Sequence, residues 1–229
     1  MATRDRSRPA AAAGPVRRRR GGRLTGGGTD GNEQLTAATG AMLFVLLAAL
    51  GVTILRIGQL LSIHMFVGML LIPPVVLKLA STGYRFMRYY TADPHYRRKG
   101  PPPPALRLMA PLLVLCTAVV FASGVALLLV GPSARGALLP IHKVSFFAWL
   151  ALAGVHVLGH APSMPAALRA DYGRTARLSG DSTGRAGRVL ALSSALVMGV
   201  VLAILVIPQF SPWLHAVTFG PYPFGPHPH

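Results

Sequence analysis

The sequence predicts an all-α, multi-pass membrane protein, and three observations carry that prediction. Five apolar stretches, roughly 40–62, 64–86, 106–130, 142–161 and 188–208, each approach the ~20 residues that cross ~30 Å of hydrocarbon as a helix. The chain is 52% hydrophobic and 13% charged, whereas about a quarter of an ordinary soluble domain is charged. None of the six acidic residues (Asp5, Asp30, Glu33, Asp93, Asp171, Asp181) falls inside an apolar stretch, which is the segregation a lipid core demands.

Residues 1–39 hold Arg17 to Arg20 in a row and almost no large apolar side chain, so they read as a disordered basic tail. A twin-arginine export signal is discounted because about twenty small or polar residues separate these arginines from the first apolar stretch. The four stretches within 40–161 form one helical unit. Residues 162–187 form a loop, 188–208 a fifth span, and 209–229 a tail rich in proline, histidine and aromatics. Pro73-Pro74 should kink the second helix, and Pro101 to Pro104 make a stiff spacer before the third.

Charge orients the spans. Arg85, Arg88, Arg97, Arg98, Lys99 and Arg107 follow the second stretch, and Arg169, Arg174, Arg177, Arg185 and Arg188 precede the fifth. Both connections belong on the cytoplasmic side. With five spans the basic N-terminal tail joins them on the cytoplasmic side of the plasma membrane. The C-terminal tail falls outside, where residues 131–141 carry only Arg135. The net charge of +17 raises nucleic acid as a partner, but the cations sit in short connections between spans, so anionic lipid headgroups explain them and no nucleic acid is expected.

Cys116 is the single cysteine, so metal chemistry here falls to histidine. His64 begins the second helix and His142 the fourth, and by the charge argument both helices start outside. Both imidazoles then lie at one depth, where two rings from neighbouring helices can clamp a haem iron from opposite sides. Gly68, one turn below His64, leaves a gap for a flat macrocycle. His156 and His160 follow His142 by fourteen and eighteen residues, about 21 and 27 Å of rise and close to whole turns, so all three share one stripe. Such a stripe offers one ligand near the outer face and others near the inner.

The His-x13-His spacing of the fourth helix, with a further histidine four residues on, resembles the membrane cytochrome b subunits of hydrogenases and formate dehydrogenases and their short relatives, over residues 40–161. The resemblance implies a four-helix haem-binding bundle plus a fifth transmembrane helix. It further implies haem b held by His64 and His142, and a second haem involving His156. The chain departs from the two-haem pattern at Lys78, fourteen residues after His64. A protonated lysine has no lone pair for iron. One outer haem is therefore expected, with either none or an unusual one inside, Lys78 alternatively meeting a propionate or a quinone.

A plainer account stands beside each residue. A lone intramembrane histidine is as a rule a hydrogen-bonded packing residue, and His156 with His160 at i,i+4 suits a small metal ion equally well. His95 sits in a basic loop and reads as solvated. Arg56 and Lys143 read as headgroup anchors or propionate partners, Trp213 as an interfacial aromatic, and Met42, Met65, Met69 and Met109 as core fillers. The expected function is one-electron transfer in or across the membrane, between a quinol and an extracytoplasmic redox partner, by a carrier subunit more than a self-contained enzyme. Two other classes compete: a haem-free scaffold or assembly factor, and a metal-handling protein using His156, His160 and the terminal His227 and His229.

Overall fold

A computed structural model describes residues 28–98, 104–160 and 184–218. Five of its helices are long and apolar enough to cross a membrane, the architecture of a multi-pass membrane protein. They are α1 (Gly28–Leu55), α2 (Ile57–Tyr90), α4 (Pro104–Val130), α5 (Leu138–His160) and α6 (Arg185–Leu205). A short α3 (Pro94–Arg98) follows α2, and α7 (Ser211–Thr218) ends the described chain. The basic tail before residue 28, most of the Pro101 to Pro104 spacer, the loop from 161 and the tail from 219 lie outside the described residues.

α1 begins at Gly28, well inside the stretch expected to be a disordered tail. The reason lies across the hairpin. Asn32 Nδ2 donates to the Ser81 carbonyl at 3.1 Å, the Thr36 and Ser81 hydroxyls meet at 3.1 Å, and Lys78 Nζ donates to the Thr36 carbonyl at 2.6 Å. A polar sequence that would not fold alone is ordered by a neighbour that satisfies it.

The first turn also differs from expectation. α1 ends at Leu55, and the chain reverses through Arg56 (φ −130°, ψ 42°) and Leu60 (φ −112°, ψ 21°) rather than near residue 63. Arg56, Gly58 and Gln59 mark this turn locally, but they sit in a run whose average stays apolar, so a span-length window passes over them. Inside α2 the only non-helical dihedrals belong to Leu60, and the helix continues through the expected kink site at Pro73-Pro74.

α2 is the central element. It pairs with α1 on one side and with α6 on another, while α4 and α5 form a second hairpin. The fifth span is thus one of α2's two main partners. α6 turns a small-residue face, Ala195, Gly199 and Ala203, into this contact, which lets two membrane helices approach to backbone distance. The α4–α5 hairpin meets the α1–α2–α6 group through a thin contact between α2 and α4 and through the turn after α6. Met69 and Leu70 of α2, Leu128 of α4, Ala203 of α6 and Phe210 make the core cluster where the two groups join.

The α1–α2 turn, the α4–α5 turn and α7 lie together at one end of the molecule: α7 touches the turn Pro132–Ala134, and Ser62, Ile63 and Phe66 share a groove with Ile207 to His215. The opposite end carries Arg85, Arg88, Arg97 and Arg107 among tyrosines. There Arg88 pairs with Asp93, Arg107 donates to the Tyr90 hydroxyl, and Tyr84 and Tyr96 meet edge to face at 6.1 Å.

Candidate functional site

His64 stands one turn past the Leu60 break, and its ring leans on α1. Nδ1 lies 3.0 Å from Thr53 Oγ1, and Thr53 is 3% exposed. The tight reversal at Arg56 brings these two residues together across the hairpin, eleven positions apart in sequence.

His142 stands just past the α4–α5 turn, and its ring leans on α4. Nδ1 lies 3.1 Å from the Val120 carbonyl oxygen and 3.1 Å from Ser123 Oγ. Gly124 is the bed for this ring: a Cβ there would come 3.1 Å from His142 Cε1 and 3.5 Å from Nδ1. An alanine at 124 would make the imidazole give way by a few tenths of an ångström.

The two rings therefore belong to different helical groups, each tied by Nδ1 to the partner helix of its own hairpin. Both occupy the end where the turns meet, near enough to interact electrostatically with each other. Gly68 faces open space, since a Cβ there would meet nothing within 4 Å.

The remaining expected residues distribute differently. Lys78 is held on α1 by the Thr36 carbonyl, with Ser81 and Asn32 alongside, which commits its ammonium to the α1–α2 seam. His156 is half-buried on α5 two heptads beyond His142. The ring of His160, the last residue of α5, and the terminal His227 and His229 lie outside the described residues. His95 is exposed in α3, its backbone N–H donating to Asp93 Oδ1 at 2.9 Å. Arg56 and Lys143 are exposed at the end that holds the two histidines, Met69 belongs to the core cluster, and Met65 packs against it.

Sequence reasoning missed Thr53, Val120, Ser123 and Gly124. It also missed Trp149, which lies midway between His142 and His156 and donates its indole N–H to Thr117 Oγ1 at 3.0 Å. A signal existed in part. Thr117 and Gly124, one heptad apart, and Ser123 beside Gly124 interrupt the apolar run of α4, which marks the face turned to a polar neighbour.

Among the described residues no three histidine, cysteine, aspartate or glutamate side chains converge to hold a metal ion. A haem iron needs only two protein ligands, because the porphyrin nitrogens supply the other four. His64 and His142, each with Nδ1 engaged by its own hairpin, are two nitrogen donors of the kind such an iron takes, since ligating histidines as a rule bond their second ring nitrogen to the protein. No family model, curated protein or solved structure matches this chain.

Proposed function

We propose that this chain is a small membrane cytochrome of the b type, with His64 and His142 as the two axial ligands of one haem. The observation that carries the reading is that these two imidazoles, from separate helical groups, stand at the same end of the bundle, each with Nδ1 held by its own hairpin. The thin α2–α4 contact supports it, because a planar macrocycle needs room between packed units rather than a filled core. A haem there supplies reversible one-electron chemistry, and the chain's part is ligation, burial and hydrogen bonding to the ligands. Lys78, bound to α1, takes no part in this site.

The charge distribution sets the direction. Arg85, Arg88, Arg97, Arg107, Arg185 and Arg188 lie toward one end, against Arg56, Arg135 and Lys143 at the other. By the positive-inside rule the arginine end is cytoplasmic, which puts the histidine pair beneath the outer surface of the plasma membrane and the C-terminus outside. The electron path then runs between a membrane quinol and a redox protein on that outer side.

The second reading is a haem-free scaffold, favoured by the fact that both rings already bridge helices through hydrogen bonds. A reduced-minus-oxidised spectrum of the purified chain separates the two. Sharp bis-histidine b-type bands, and one haem per chain by pyridine haemochrome, support the cytochrome. Absence of bands from protein produced with ample haem sinks it.

A further inference from the structure

Both candidate ligands are held by one device, repeated on the two hairpins. Thr53 Oγ1 lies 2.5 Å from the Leu50 carbonyl oxygen and 3.0 Å from His64 Nδ1. A carbonyl only accepts, so the single hydroxyl hydrogen points to Leu50. Toward the ring the hydroxyl oxygen is then an acceptor, and His64 Nδ1 must bring the hydrogen. On the other hairpin Ser123 Oγ lies 2.6 Å from the Val119 carbonyl and 3.1 Å from that of Val120, so its hydrogen is spent in the same way. His142 Nδ1 faces two acceptors, Ser123 Oγ and the Val120 carbonyl, each at 3.1 Å.

We infer that Thr53 and the Val120–Ser123 turn of α4 are positioning groups that lock both imidazoles in the Nδ1–H tautomer, leaving each Nε2 as a lone-pair donor, and that the two locks are unequal. His64 depends on one side-chain hydroxyl. His142 is backed by a main-chain carbonyl that no substitution removes. A neutral imidazole carries its hydrogen on either nitrogen, and the bond made by one nitrogen decides which. Without the lock a ring offers iron an N–H half of the time or more and first has to shift its proton. The use of the lock, ligation of haem, rests on the proposed function; the tautomers do not.

The test uses the full chain labelled with 15N-histidine, in phosphatidylcholine vesicles without haem, where ring 15N shifts report the tautomer directly. In the wild type both His64 and His142 give the Nδ1–H pattern. Thr53→Val, which keeps the shape and removes the acceptor, moves His64 to Nε2–H or to a mixture. Thr53→Ser restores the wild-type pattern, and Ser123→Ala leaves His142 in Nδ1–H. On titration with haem, Thr53→Val weakens binding roughly 10- to 100-fold, the usual effect of losing a ligand's hydrogen-bond partner, and Ser123→Ala weakens it less than Thr53→Val. Should Thr53→Val not fold, Thr53→Ala carries the same comparison. An Nε2–H wild-type ring, a Thr53→Val protein that keeps Nδ1–H at His64, or equal effects of the two sites overturns the inference. Expected tautomers with no haem bound support it while removing the proposed function. Haem binding with tautomers indifferent to Thr53 removes the inference alone.

Discussion

Gly199 of α6 rests on the main-chain carbonyl of Leu70 in α2, so close that a Cβ at position 199 would collide with that oxygen. The contact has a cause on each side. Pro74, fully buried, has no N–H to give the carbonyl four residues earlier, so Leu70 lacks its helical donor. A glycine lets the opposing helix come near enough to cover that oxygen with Cα–H groups.

Gly199→Ala should therefore separate α6 from α2. The obstacle is backbone, which cannot rotate away, so a loss of about 1–3 kcal/mol is expected, as for overpacked cores. Gly51→Ala in α1 is the control, because a Cβ there meets nothing within 4 Å. Thermal unfolding in detergent should show a lowered midpoint for the first and an unchanged or raised one for the second.

Gly124→Ala should disturb the His142 ring without unfolding α4. The new methyl would stand 3.1 Å from Cε1, so the ring gives way by a few tenths of an ångström. Helical content by circular dichroism should stay the same, and on the proposed cytochrome reading haem affinity should fall. On the same reading His142→Ala should abolish the b-type bands, and His156→Ala should leave one haem per chain.

Lys78→Met should be close to neutral in stability and in haem content. The ammonium loses one hydrogen bond to Thr36, but the substitution also relieves the burial of a charge, and exchanges of this kind often balance. Loss of haem from Lys78→Met, measured by pyridine haemochrome, would show that this residue serves the cofactor after all.

Trp149→Phe and Thr117→Val each break the same bond between α4 and α5. Each should cost about 0.5–1.5 kcal/mol, with the double variant no worse than the more damaging single by more than a few tenths. Additive losses in chemical denaturation would mean the two side chains act separately.

The spans were legible from hydropathy because crossing a bilayer is a property of one segment and its length. Their joints were not. The Arg56–Leu60 reversal lies within an apolar stretch, and residues 28–39 look soluble until Asn32 and Thr36 meet Ser81 and Lys78, between 42 and 49 positions away. His64 and His142 stood out because an ionisable group in an apolar run is conspicuous. Thr53, Ser123 and Gly124 did not, since a hydroxyl or a missing side chain costs little in a membrane helix and takes its meaning from what lies opposite.

Composition and the order of apolar and basic segments, read alone, determined that this chain is a five-helix membrane protein with two histidines near the starts of two spans. Tertiary structure alone decided which helix each histidine leans on, which ring nitrogen is engaged, and that the fifth span packs against the second through Gly199 and Leu70. The division is physical: transfer into lipid sums over residues one at a time, whereas a hydrogen bond or a close backbone approach exists only once two distant segments have been fixed side by side.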